Sequence, residues 1–262
     1  MNLKGKRIVI TGASSGIGWA LLKRLSASGA SVVGVSRNPQ RIIDELGNRG
    51  IKTITCDVSD PIQVDRMLEE ATELMGGIDI FVANAGFAYY GKIGNSNWEK
   101  IEQIYKTNVI SPIYTLQKLT ENNKTEPLIF MVTISALGKM VLPGFSLYNS
   151  TKFALDGFVR TYRMERPKNV KIIPVYPVAN FTPFFEKAGG PDTPMPLLAR
   201  QFPSMTALCM KIGLQVEARS VYPSIIFIIR CILSRVTPVD VLVQIVERIR
   251  FSGWLKRHGE RN

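Results

Sequence analysis

The sequence predicts an α/β fold, with one doubly wound parallel sheet and helices on both faces, in a single domain over residues 1–262. Three observations carry that expectation. Short apolar runs without polar alternation recur between residues 6 and 176, each followed by a longer stretch of helical periodicity. That is the pattern of strands buried on both faces. A glycine-rich turn, Thr11-Gly12-Ala13-Ser14-Ser15-Gly16-Ile17-Gly18, joins the first such run to the first helical stretch. Finally, 262 residues at 45% hydrophobic content suit one such domain with a full core.

Residues 6–10 read as a buried strand, and 17–28 as a helix that Gly29 ends. A second strand spans 31–35, a helix 39–48 is followed by Gly50, and a third strand spans 51–56. Asp60-Pro61 opens a helix running to about residue 75. Proline suits that first helical position because its missing N–H has no intrahelical acceptor there. Then come a strand at 78–83, one long helix at 98–122, a strand at 128–134, a helix at 147–165 and a sixth strand at 170–176. Beyond this the alternation fades. Residues 181–203 are rich in Pro and Gly and read as a long loop with one short helix, and 197–214 as a further helix. An apolar stretch at 225–233 precedes an amphipathic one at 239–251. Residues 178–215 are therefore expected to form a substrate lid, and 221–262 a variable helical extension.

The N-terminus runs straight into the first strand, so no signal peptide is expected. Cys56, Cys209 and Cys231 have neither metal nor disulfide spacing, so a cytoplasmic setting is expected. His258 is the single histidine, which argues against a histidine triad or a multi-histidine metal site. No metal is expected. The net charge of +12 suits polyanionic partners such as a phosphorylated cofactor or anionic lipid. Lys and Arg are dispersed rather than set among aromatics, so nucleic acid is not expected.

Tyr148 and Lys152 stand four residues apart, on one face of their helix. A free tyrosine ionises near pH ~10. A cation beside it favours the phenolate and so moves the phenol towards working pH. The glycine turn supplies the second half of a site. Gly12 and Gly16 let the backbone bend towards a pyrophosphate, Gly18 lets helix and strand pack closely, and the helix N-terminus favours phosphate. An NAD site places Asp or Glu at the end of the second strand, to bind the ribose hydroxyls. This chain has Val35-Ser36-Arg37-Asn38, and no acidic residue between Gly12 and Asp44. Ser36 and the planar fork of Arg37 suit a 2′-phosphate, so NADP is the expected cofactor.

With these residues assembled, the chain resembles the short-chain dehydrogenase/reductase family, from about residue 6 to residue 182. The glycine turn matches that family's cofactor turn, including Ser14, Ser15 and Ile17. Asp57-Val58 matches its adenine contact, and Asn84-Ala85-Gly86 its end of strand four. Asn108, Ser135, Tyr148 and Lys152 match its catalytic tetrad, with Ser135 thirteen residues before Tyr148. The resemblance implies a Rossmann-like domain in which Tyr148 moves the proton and Lys152 lowers its pKa and holds the nicotinamide ribose. By the same carry-over, Ser135 binds the substrate oxygen and Asn108 holds a proton-delivering water. Pro177, Asn180 and Thr182 would lie beside the nicotinamide, although Val178 and Asn180 depart from the Pro-Gly-hydrophobic pattern usual there.

Phe181, Phe184, Phe185, Met195, Leu197 and Leu198 suggest a hydrophobic substrate, a ketone or alcohol of lipid or steroid-like character. A homo-oligomer is expected. Two accounts of the tail stay open: packing over the pocket or another subunit, or peripheral contact with a membrane surface. Two alternatives to the soluble reductase stay open as well. One is a non-catalytic cofactor-binding protein, and the other a membrane-surface keto-lipid reductase.

Overall fold

The structure, a computed structural model, describes residues 1–94, 97–196, 200–234 and 239–258, without the side chains of Asn48 and Val239. Six parallel strands form the central sheet: β1 (Arg7–Thr11), β2 (Ser31–Ser36), β3 (Lys52–Thr55), β4 (Ile80–Ala83), β5 (Leu128–Thr133) and β6 (Val170–Val175). Their order is β3-β2-β1-β4-β5-β6. The chain starts at the centre, winds out through β2 and β3, then crosses back to β4 and winds the other way. The reversal between β1 and β4 leaves a crevice at the carboxyl ends of the strands, where such sheets bind ligands.

Strand side chains alternate between two cores, because successive residues of a strand point to opposite faces. Val9, Val33, Phe81 and Phe130 face α3 (Pro61–Met75), α5 (Ser111–Asn122) and α6 (Ser146–Glu165). The Phe81 and Phe130 rings stack at 5.5 Å. On the other face Ile8, Ile10, Val82 and Met131 meet Leu21, Leu22 and Leu25 of α1 (Gly16–Ser26) and Met210 and Leu214 of α8 (Pro203–Gln215). Burying each such side chain contributes about 1.5–3 kcal/mol. Cys56, just after β3, is sealed in the first core. A third, aromatic cluster of Tyr90, Phe145, Tyr148, Trp254 and Leu255 lies beyond the sheet, against α10 (Val239–Arg257).

The expected alternation is present, with element ends shifted by a residue or two; α2 is Gln40–Leu46. One expectation needs correction. The helix expected at 98–122 is α4 (Trp98–Tyr105) and α5, joined by a π turn over Lys106–Ile110. Asn108 lies in that turn. Its amide donates to the Phe87 carbonyl and Thr151 Oγ1 and accepts from the Phe87 N–H, bonds that draw it out of the α-helical ladder onto the loop after β4.

The expected lid loop holds α7 (Phe184–Gly189) and a two-residue parallel ladder of β7 (Ala179–Asn180) and β8 (Arg200–Gln201). Of the helix expected at 197–214, residues 197–199, with Leu197 and Leu198, lie outside the described residues; Arg200–Gln201 is strand β8 rather than helix, and α8 starts only at Pro203. In the extension, α9 (Ile225–Leu233) is as expected, and α10 runs six residues beyond the expected end, to Arg257.

Candidate active site

The first site element is the turn between β1 and α1. Gly12 and Gly16 both have positive φ, 66° and 56°, which side-chain-bearing residues rarely adopt. No side-chain cap closes the N-terminus of α1, so its first N–H groups face the crevice. Gly18 does not line the cavity. A Cβ there would stand 2.2 Å from the Gly12 carbonyl, so its part is the close approach of helix to turn. Thr11, which the sequence reading passed over, stitches the neighbouring strands together. Its hydroxyl accepts from the N–H groups of Asn84 and Ala85. Asn84 in turn donates to the Thr11 carbonyl and accepts from the Thr133 hydroxyl. The signal for Thr11 was its position at the strand end, but threonines in such places are common.

At the end of β2, Ser36 Oγ is buried with no hydrogen-bond partner among the described residues. Arg37 beside it is exposed at the cavity wall. Asp57 accepts from the N–H and hydroxyl of Ser59, which fixes the turn that carries Val58 along the same wall.

Ser135 follows β5 with φ at 133°, a conformation unusual for a residue other than glycine. Its oxygen accepts from the Leu137 N–H at 3.1 Å, and its hydroxyl shares a hydrogen bond with the Tyr148 phenol. Phe184 and Phe145 meet the Tyr148 ring edge-on at 5.5 and 6.2 Å. One helical turn on, the Lys152 ammonium lies 5.4 Å from the centre of that ring and donates to the Thr133 carbonyl at 3.0 Å.

The electrostatics differ from the expectation that Lys152 draws Tyr148 towards neutral pH. Burial pushes the phenol up to about 12, and the Ser135 hydrogen bond opposes it only in part. Burial also pulls Lys152 down to about 7. Desolvation disfavours both charged forms and outweighs the pairing of cation and phenolate in this arrangement. Tyr148 consequently keeps its proton across the physiological range.

Asn108 lies behind this pair rather than on the cavity. A Cβ on Gly86 would sit 3.1 Å from Asn108 Oδ1 and 3.7 Å from Lys152 Nζ, so the missing side chain leaves room for both. Pro177, Asn180 and Thr182 do line the cavity, as does Val178, which stays out of the positive-φ region. The Asn180 side chain is occupied within the lid. It donates to the Val178 carbonyl and accepts from the Thr206 hydroxyl of α8.

One cavity of about 640 Å³ joins these parts, with the glycine turn and Arg37 at one end and Ser135, Tyr148 and Lys152 further in. Beyond Tyr148 its walls turn apolar, with Leu142, Phe145, Phe184 and Phe185. Ile226, Ile229 and Leu233 of α9 also line it. The sequence reading did not connect α9 to the site, because an apolar run shows amphipathicity but not what it covers.

Residues 6–190 match the family model for short chain dehydrogenases. The chain belongs to the short-chain dehydrogenase/reductase family. As a member it is 30% identical over 219 residues to a protein of Bos taurus named 3-ketodihydrosphingosine reductase; the match covers 79% of this chain and 65% of that one. It therefore spans just under two thirds of that relative's length. It is also 30% identical over 226 residues, 80% of each chain, to the NADPH-dependent 3-dehydrocapnine reductase of Ornithobacterium rhinotracheale. Among solved structures it resembles a short chain dehydrogenase from Burkholderia cenocepacia in complex with NADP. That match has 26% identity and a TM-score of 0.73, and covers 85% of this chain and 97% of the other.

Proposed function

We propose that this short-chain dehydrogenase catalyses NADP(H)-dependent exchange of a hydride with a hydrophobic ketone or alcohol, and that a keto-lipid is its substrate class. The observation that carries this reading is a single cavity with a nucleotide-shaped end, an acid–base pair in the middle and an apolar far end. The relatives named as reductases of 3-ketodihydrosphingosine and 3-dehydrocapnine support the substrate class.

The residues present fit NADP. The positive-φ glycines and the uncapped α1 suit a pyrophosphate, with Ser14, Ser15 and Ile17 on the same wall. The orphaned Ser36 hydroxyl beside Arg37 suits a 2′-phosphate, whose oxygens accept from both. Asp57 and Val58 would flank the adenine, and Asn84, Ala85 and Gly86 the middle of the dinucleotide. Lys152 would hold the nicotinamide ribose, and Pro177, Asn180 and Thr182 its carboxamide side. When bound, the cofactor supplies or accepts the hydride.

The rest is the work of this chain's own residues. Ser135 donates to the substrate oxygen and steadies the negative charge that develops on it. Tyr148 gives that oxygen its proton in reduction; the buried phenol holds its proton, which suits the acid role. Lys152 restores the proton to Tyr148, and Asn108, held in the π turn, would keep the water that links Lys152 to solvent. Phe145, Phe184 and Phe185 exclude water from the reacting oxygen.

The test is NADPH oxidation by the purified protein across a panel of hydrophobic ketones. Turnover is expected on long-chain ketones, and Tyr148→Phe should reduce it by at least about a hundredfold while NADPH still binds. NADPH should bind more tightly than NADH, and Arg37→Ala should remove most of that preference. NADPH binding without turnover on any ketone or alcohol would favour a non-catalytic cofactor-binding protein instead.

A further inference from the structure

We propose that α9 and α10 together form a docking face for an anionic lipid bilayer, and that the mouth of the active-site cavity opens onto that face. Each helix has one side on the protein and one turned away. In α9, Phe227 and Arg230 are buried, whereas Ile225 is 70% exposed and Ile226, Ile229, Ile232 and Leu233 are exposed as well. In α10, Trp254 and Leu255 are buried, whereas Leu242, Ile245, Val246 and Ile249 are exposed, Ile249 at 67%. At 100° per residue the exposed positions of each helix fall on one stripe. Soluble surfaces rarely gather this many large aliphatic side chains.

The charges around the stripe select the occupant. The acidic residues of these helices are Asp240 and Glu247, and each is tied to an arginine, Arg230 and Arg250 respectively. Lys256 falls on the outward stripe of α10, and Arg248 and Arg257 flank it, all three exposed. The whole chain carries a net charge of +12. An apolar stripe with a basic border complements an anionic bilayer surface. A second copy joined two-fold through the same face would bring these like charges together.

Neither helix spans a membrane. No described helix is long and apolar enough to do so, and α9 with its 9 residues is about 13 Å long, well short of the ~30 Å hydrocarbon core. The helices therefore lie in the interface.

Function follows from the overlap of the two surfaces. Ile226, Ile229 and Leu233 belong both to the exposed stripe and to the cavity wall. A long-chain substrate then passes from the bilayer to Tyr148 along aliphatic surface without crossing water.

The test uses the full chain and sedimentation with two kinds of vesicle. One is phosphatidylcholine alone, the other equal parts phosphatidylcholine and phosphatidylglycerol. Binding to the anionic vesicles is expected to be at least about tenfold stronger and to weaken with salt. Ile245→Glu combined with Ile249→Glu lies outside the cavity. It should abolish vesicle binding and leave NADPH oxidation on a short, water-soluble ketone unchanged. Should that variant not fold, Arg248→Glu with Lys256→Glu changes only exposed charge, and it should lose the salt-sensitive binding. The proposal is overturned if the wild type stays in the supernatant with anionic vesicles, or if the folded variants bind as well as the wild type. It is equally overturned if light scattering shows a wild-type dimer that the Ile245/Ile249 variant dissociates, since the face then belongs to a second copy. Vesicle binding needs no turnover, so this result stands or falls apart from the proposed reaction.

Discussion

Lys152 occupies a place where its charge is poorly solvated. Its ordinary value of 10.5 falls to about 7 through burial. Between those two values the unfolded chain binds a proton that the folded protein releases, so this residue's contribution to stability improves as pH rises from 7 towards 10.5. Below pH 7 both states are protonated, and the folded state carries the full cost of a buried ammonium, at most about 5 kcal/mol. Lys152→Met removes that cost along with one hydrogen bond to the Thr133 carbonyl, worth about 1 kcal/mol. The variant should therefore be inactive yet more stable than the wild type at pH 6, by a margin that shrinks towards pH 10. Urea unfolding at the two pH values checks this; a margin that does not change with pH would sink the idea.

At the scale of elements, the loop that follows Ser135 owes its shape to Asn149. That buried amide donates to the carbonyls of Leu137 and Met140 and accepts from the N–H of Leu142. All three loop residues line the cavity. Asn149→Ala leaves three backbone groups without partners and should cost about 2–3 kcal/mol. With the wall loosened, KM for a hydrophobic ketone should rise far more than kcat falls. Steady-state kinetics and a thermal melt of the same variant check both halves.

Sequence reading reached one side of this arrangement and missed the other. Tyr148, Lys152 and the glycine turn were legible because spacing places them on one helix or at one strand end, and Ser135 was legible through the resemblance to the family. Asn149 was not legible, since a buried asparagine and a solvated one look alike in a sequence. The π turn at Asn108 was hidden for a related reason. Residues 98–122 keep helical periodicity throughout, and the distortion comes from bonds to Phe87 and Thr151, distant in the chain. The role of α9 in the cavity depends likewise on a fold-back that no local pattern encodes.

Across the whole molecule, the tail completes the aromatic cluster while leaving its other face outward. Trp254 meets Tyr90 at 4.9 Å and stacks on Phe251 and His258 at 6.3 and 4.2 Å. Both of the tail's expected roles are thus compatible with one helix: the inner side packs over the site while the outer side stays exposed. Trp254→Ala should destabilise the protein by about 3–5 kcal/mol. The Trp254 N–H is buried with no partner among the described residues, so Trp254→Phe should cost much less. Equal losses in the two variants, read from chemical denaturation, would show that the ring's packing is not what holds the tail.

Cys56 gives the cavity a built-in clock. The thiol is sealed in the core, and burial together with Asp57 and Asp60 pushes it up to about 12, so it resists alkylation while the sheet is closed. Cys209 and Cys231 are only partly covered. A thiol reagent should therefore modify those two first and reach Cys56 only when the fold opens, at a rate set by the free energy of opening. Because NADPH would bind only the folded protein and so lower the open population, it should slow the modification of Cys56 further. Timed alkylation followed by peptide mass spectrometry would then report cofactor occupancy of the folded protein without any substrate.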